Sequence, residues 1–176
     1  MSGDVALLIG NSDGIGLETT KRLLDIGYNV TGISRSASTI ENSSYNHIVV
    51  DVSSDEYREV LSRSLSLRKI DLCIFFVGIG ERFDPNNIRF ETKVFEVNLL
   101  AGVITTELVI NDMIKNNHGH FIGLSSIADL APSQEAPSYN ASKSALTNYW
   151  EGLALALSKT NVRISNIRFG FVNTKM

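Results

Sequence analysis

The sequence predicts an α/β domain, a doubly wound and mostly parallel sheet of about six strands in the order 3-2-1-4-5-6 with helices on both faces. Three observations carry this expectation. Short apolar runs alternate along the chain with longer segments of helical periodicity. The run Ile70 to Val77, Ile-Asp-Leu-Cys-Ile-Phe-Phe-Val, is the most apolar strand and is apolar on both faces, as the middle of a parallel sheet requires. Glycine-rich turns follow both the first strand (Gly10 to Gly16) and this one (Gly78-Ile79-Gly80), and in a doubly wound sheet those two turns flank one crevice.

The 176 residues are 43% hydrophobic and 20% charged, which supports one domain with a real core, and no repeat, low-complexity segment or linker interrupts them. A net charge of −3 gives no electrostatic case for nucleic acid or for an anionic membrane. Met-Ser-Gly-Asp enters the first strand without a leader pattern, and no uninterrupted apolar run approaches membrane-spanning length, so the expected location is cytoplasmic. Cys73 is the single cysteine; it is expected to pack as a small hydrophobe.

In chain order, Val5 to Ile9 is the first strand, and Gly10-Asn11-Ser12-Asp13-Gly14-Ile15-Gly16 is a turn into a helix running to about Ile26. Glycines allow a tight turn and close approach of a diphosphate, and the helix N-terminus offers it unpaired N–H groups. The spacing is Gly-x3-Gly-x-Gly, and no Gly-Lys-Ser/Thr follows, so a P-loop is excluded. Gly27 ends the helix, and Tyr28 to Ser34 is the second strand. Ser34 and Arg35 at its end favour a 2′-phosphate and hence NADP(H), with NAD(H) possible and a solvated arginine as the bland alternative. His47 to Val50 is a short third strand whose end places Asp51-Val52 at the rim where an adenine could lie, although Asp51 is equally able to cap its own loop. Ser54 reads as the N-cap of a helix to about Leu67.

After the central strand, Ile88 to about Asn117 reads as helical, with Phe90, Val94, Val97, Leu100, Ile104 and Leu108 near one stripe and mostly core. Asn98 is a polar residue amid these, able to bond solvent, backbone or a buried water. The histidines, His47 among them, lack further ligands at metal-binding spacing. Phe121 to Ser125 is the fifth strand and delivers Ser126 at its carboxyl end; Arg163 to Phe169 is the sixth.

Pro137-Ser138 reads as a helix start, so Tyr139 and Lys143 lie on one face at i, i+4. A free phenol titrates near 10, and bringing one to about 7 takes roughly 4 kcal/mol, which an ammonium about 4 Å away supplies at an effective dielectric near 20. A Tyr–Lys pair can therefore act as a general acid or base. Ser126 could then donate a hydrogen bond to a substrate oxygen. Ala141, Ser142 and Ala145 are small enough to let another element approach this helix.

With these residues placed, the chain resembles the short-chain dehydrogenase/reductase family over almost its whole length, on a Rossmann-type fold. Gly10, Gly14 and Gly16 fit the family's glycine turn, Asp51 its adenine-side acid, and Asn98, Ser126, Tyr139 and Lys143 its catalytic tetrad in order and spacing. The resemblance implies that Tyr139 is the proton donor or acceptor, that Lys143 lowers its pKa and binds the nicotinamide ribose, that Ser126 positions the substrate oxygen, and that Asn98 helps hold a water in a proton relay. It further implies that Thr174 contacts the nicotinamide carboxamide, that backbone near Gly78 lies along the cofactor, and that the chain is a homodimer or homotetramer. The substrate implied is a small ketone, aldehyde or secondary alcohol.

Some residues depart from the family pattern. Ile9 stands for the usual threonine, Phe75-Phe76-Val77-Gly78 for Asn-Asn-Ala-Gly, and Phe169 for proline. The chain also stops at Met176, without the family's usual substrate-covering loop and last strand, so it is either a fragment or a minimal form. The rival expectation is a non-catalytic, redox-sensing dinucleotide-binding module. A serine hydrolase built on Ser125 fails because Ile127 stands where the nucleophile elbow needs glycine and no histidine follows His120. A sugar-nucleotide epimerase is disfavoured by the glycine spacing and the missing substrate domain.

Overall fold

The computed structural model describes residues 3–170 and 172. Six strands, β1 (Val5–Ile9), β2 (Asn29–Ser34), β3 (Tyr45–Val49), β4 (Leu72–Phe75), β5 (Gly119–Ser126) and β6 (Val162–Phe169), form one sheet in the order β3-β2-β1-β4-β5-β6. Every neighbouring pair is parallel, with Ile9 opposite Ile33 on one side and Phe75 on the other, and Phe75 opposite Gly123. The expected topology is the observed one. This register brings the carboxyl ends of β1, β4 and β5 side by side, and the turns that follow them share one crevice.

The helices are α1 (Gly14–Asp25), α2 (Tyr57–Leu67), α3 (Arg89–Val94), α4 (Ala101–Lys115) and α5 (Pro137–Ala156), with a 3-10 turn at Ile127–Leu130. One sheet face, carrying Leu7, Ile9, Cys73, Phe75 and Phe121, packs against Tyr57 and Leu61 of α2, Val109 of α4, and Leu146 and Trp150 of α5. The other, carrying Ala6, Leu8, Val30, Ile74 and Leu124, packs against Leu23 of α1. Cys73 lies wholly buried in the first core, where burial pushes its thiol far up. Gly27 ends α1 with φ +94°, and Tyr28 N–H reaches back to the Leu23 carbonyl at 2.9 Å, closing the last turn.

Several details differ from the sequence expectation, among them β3, which already starts at Tyr45 and not at His47. Helix α2 begins at Tyr57 because Ser54 is spent in a tighter turn: its hydroxyl donates to the Asp51 carbonyl at 2.8 Å instead of capping the helix. β4 stops at Phe75, since Phe76 N–H makes a last bond to the Ile9 carbonyl where β1 itself ends. Leu100 is 54% exposed: the buried face of its helix runs through Val94, Val97, Asn98, Ala101 and Thr105, and Leu100 falls between those positions. A π-helical turn, Phe95–Leu100, joins α3 to α4. The resulting stretch Arg89–Lys115, 27 residues long with an 18-residue window of mean hydropathy 1.4, is long and apolar enough to cross a membrane, but half of that window is buried inside this domain.

Trp150 anchors the larger core. It is fully buried, packs against Phe75 and Phe121 with ring centroids 6.2 and 5.8 Å away, and donates its indole N–H to Thr106 Oγ1 at 2.9 Å. Gly123 opposite leaves room for the ring, and a Cβ there would overlap it. Gly123→Ala should therefore lower unfolding stability by about 1–3 kcal/mol, and less than half as much in a Trp150→Leu background, as read by urea denaturation followed by circular dichroism.

Candidate active site

Tyr139 and Lys143 occupy the first turns of α5, which Pro137 opens at its first helical position. Lys143 is 4% exposed, and its amine donates to the Leu124 carbonyl of β5 at 3.1 Å and stands 5.8 Å from the centre of the Tyr139 ring. The turn after β4 presses on both residues: a Cβ on Gly78 would stand 3.1 Å from the Lys143 amine, and one on Gly80 would stand 2.7 Å from Tyr139 Cδ2. At Gly80 a side chain would collide with the ring, and at Gly78 it would crowd the amine, so glycine lets the backbone approach the pair. Ser126 ends β5, and its Oγ accepts from the Ala128 N–H at 3.2 Å, which leaves the hydroxyl hydrogen to donate elsewhere.

Asn98 resolves to one of its expected alternatives. It is fully buried, with Oδ1 accepting from the Ile79 N–H at 2.8 Å and Nδ2 donating to the Ile79 carbonyl at 2.9 Å and to Ser142 Oγ at 3.1 Å. Ser142 in turn donates to the Tyr139 carbonyl at 2.8 Å. The side chain thus bonds backbone and Ser142, and its contribution is to position the turn against α5. Ser142 is accordingly not a free small residue: it lies buried under Asn98, and of Ala141, Ser142 and Ala145 only Ala141 is exposed.

On the other side of the crevice, Gly10 has φ +86° and Gly14 φ +49°. A Cβ on Gly16 would overlap the Gly10 carbonyl and Asn11 Cα, so the turn closes tightly on the helix start. Asp13 precedes α1 in extended conformation without a side-chain cap, and the first turn holds no acidic residue, so this helix end is open to an anion. Ser12 and Ile15 are half-buried and Asn11 fully buried, with its Oδ1 lacking a partner. Arg35 is exposed, whereas Ser34 is buried with its hydroxyl turned to the Ser36 carbonyl at 2.9 Å. Asp51 caps its loop with one oxygen, Oδ1, which accepts from Ser53 N–H at 2.9 Å and Ser53 Oγ at 2.6 Å. Those bonds, aided by the Lys93 and Arg35 charges, hold its carboxyl below the usual range. Val52 is buried beside it. Thr174 lies outside the described residues.

Two features escaped the sequence reading. Asp129 Oδ2 accepts from Thr147 at 2.5 Å and from Arg168 Nε at 2.7 Å, and Arg168 also reaches Glu151 at 3.1 Å. Burial opposes the Asp129 charge, but the bonds from Thr147 and Arg168 and the guanidinium charge outweigh it and keep the carboxyl low. This network fastens the turn carrying Ser126 to α5 and β6. No local pattern announces it, because its members meet only through the fold. The other is His47, set apart in sequence yet bonded to Tyr45 Oη at 2.7 Å. Among the described residues no group of three or more histidine, cysteine or acidic side chains could hold a metal.

Desolvation lowers the Lys143 pKa from 10.5 to about 8. Below pH 8 the amine is charged in both folded and unfolded chains, and its burial cost is fully present; between 8 and 10.5 only the unfolded chain holds the proton, so stability rises with pH as that cost is relieved. Lys143→Met should accordingly stabilise the cofactor-free chain at pH 7 by about 1–3 kcal/mol, with the gain fading toward pH 10.5 in denaturation curves across that range.

The family model described as short chain dehydrogenase matches residues 4–176. Dehydrogenase RED2 of Cochliobolus heterostrophus is 26% identical over 165 residues, covering 90% of this chain and 62% of that relative. A probable NADP-dependent dehydrogenase of Haemophilus influenzae is 25% identical over 181 residues, covering 97% of this chain and 72% of that one. The solved structure of a short chain dehydrogenase from Burkholderia cenocepacia in complex with NADP shares the fold, with a TM-score of 0.86 at 24% identity over 99% of this chain and 75% of that chain. The chain thus spans less than two thirds of the fungal relative's length. The match over nearly every residue, on a sheet of the expected order, places this chain in the short-chain dehydrogenase family.

Proposed function

We propose that the chain is an NADP(H)-dependent oxidoreductase that reduces a small ketone or aldehyde, or oxidises the corresponding secondary alcohol. The observation that carries this reading is the packing of the Gly78–Gly80 turn after β4 against Tyr139 and Lys143, with the Lys143 amine bonded to β5 at Leu124, two residues before Ser126. The residues fit a dinucleotide. Gly10 and Gly16 let the turn close tightly against Val77 and on the start of α1, where a Cβ would collide, and that uncapped helix start suits a diphosphate. Exposed Arg35 makes no ion pair among the described residues and suits a 2′-phosphate, while Asp51 and Val52 lie at the adenine side. Gly78 would lie along the nicotinamide end, beside Lys143.

When bound, the nicotinamide supplies or accepts the hydride. The chain's own residues manage the oxygen. In the reductive direction Ser126 donates a hydrogen bond to the carbonyl oxygen, and Tyr139 delivers its phenolic proton to that oxygen as the carbonyl carbon is reduced. Lys143 keeps a positive charge near the tyrosinate that results, and solvent returns the proton. Asn98 holds Ile79, and with it Gly78 and Gly80, against this pair. A cytoplasmic homodimer or homotetramer belongs to the same proposal; a light-scattering mass of one chain would remove the assembly.

Tyr139→Phe removes one oxygen and tests the acid alone. We expect NADPH oxidation with a panel of carbonyl compounds to slow by about 10²-fold or more, while NADPH affinity stays within about threefold. If both proteins bind NADPH and neither consumes it, the chain is a binding module instead.

A further inference from the structure

We propose that His47 is a positioning residue for cofactor choice, fixing the Ser34–Ser36 turn on which a 2′-phosphate would rest and tying that turn to Asn11 of the glycine turn. The inference rests on the NADP(H) reading and deepens it. β3 runs parallel to β2 with His47 opposite Gly32, and Tyr45 and His47, two residues apart, project to the same side of the strand. His47 Nε2 stands 3.0 Å from the Ser36 carbonyl and 3.2 Å from Ser34 Oγ, and Nδ1 stands 2.7 Å from Tyr45 Oη. A carbonyl only accepts, so Nε2 carries the hydrogen and Nδ1 accepts from the Tyr45 hydroxyl. Tyr45 Oη accepts from Asn11 Nδ2 at 2.9 Å. The second Asn11 N–H goes to Thr20 Oγ1 at 3.0 Å, which donates to the Gly16 carbonyl at 2.7 Å.

Starting from the Asn11 amide, every link donates in one direction, outward through Tyr45 and His47 to Ser36 and inward through Thr20 to Gly16. Two turns that come from different strands are thereby held by one side-chain chain. Gly32 lies beneath it, and a Cβ there would come within 2.6 Å of Tyr45 Oη and collide with the Asn11 amide. The consequence for binding is electrostatic. The Ser36 carbonyl sits next to Arg35, and a bare carbonyl oxygen would repel a phosphate dianion; bonds from His47 and from Ser34, the latter at 2.9 Å, occupy it. A cofactor without the 2′-phosphate is indifferent to this.

The experiment is calorimetric titration of NADPH and NADH into the wild-type chain and into Arg35→Ala, His47→Ala, His47→Gln and His47→Asn, each checked for fold by circular dichroism. Wild type should bind NADPH at least about tenfold tighter than NADH, a preference that Arg35→Ala removes. His47→Ala should weaken NADPH by about tenfold, the effect of one lost bond to a charge-bearing site, with NADH within about twofold. His47→Gln, which keeps an N–H near the Nε2 position, should recover most of the loss, and His47→Asn, which does not reach it, should recover none. If the alanine variant fails to fold, the Gln and Asn pair decides on the same criterion. Equal weakening of both cofactors, no weakening of either, or identical behaviour of Gln and Asn would overturn the role of His47. A wild type without NADPH preference would instead overturn the cofactor reading, and the inference with it.

Discussion

The paired hydrogen bonds between the Asn98 amide and the backbone of Ile79 are the constraint on which the candidate site depends. Ile79 lies in the irregular turn after β4, where no strand or helix partner is available for its N–H and carbonyl. A buried polar group left unpaired costs about 1–3 kcal/mol, so the turn settles where Asn98 can satisfy both. That position presses Gly78 onto the Lys143 amine and Gly80 onto the Tyr139 ring, and the third Asn98 bond carries the same restraint through Ser142 into α5. One side chain thus fixes the spacing between the central strand and the helix that bears Tyr139 and Lys143. The π-helical turn around Asn98 lies at this contact, as such turns commonly do at functional sites.

Two further hydrogen-bond systems brace the crevice from its flanks. Behind Ser126, the buried Asp129 carboxylate collects Thr147 and Arg168, joining the loop after β5 to α5 and β6. Across the sheet, the chain from Thr20 through Asn11 and Tyr45 to His47 joins the glycine turn to the end of β2. Between them lies Lys143, whose charged amine is buried at a cost to stability that a purely structural position would not carry.

The sheet order was legible because Ile70 to Val77 reads as a strand apolar on both faces and because the glycine turns at Gly10 and Gly78 mark one crevice. Tyr139 and Lys143 were legible as well, since helical spacing needs only local sequence. Partners contributed by distant segments were not. Asn98 left three kinds of partner open, and the Ile79 backbone emerged only with the turn in place. Even a near partner can mislead: Ser54 reads as a cap, yet its hydroxyl turns back to the Asp51 carbonyl three residues earlier. His47 seemed isolated because its neighbours Ser34 and Ser36 belong to the preceding strand and loop, and Arg168 lies on β6, 39 residues from Asp129. In sequence Arg35 and Ser34 form a pair, but burial divides them: the arginine faces out and the serine is committed to Ser36.

Hydride transfer to a carbonyl carbon, the reaction proposed for this crevice, is measured most directly by mass spectrometry of the product formed by the chain from a carbonyl compound and NADPH carrying deuterium at the transferable C4 position. The expected product is an alcohol bearing one deuterium on the former carbonyl carbon, formed only with the chain present. An alcohol without that label, or no alcohol from any compound while NADPH remains bound and intact, would contradict it.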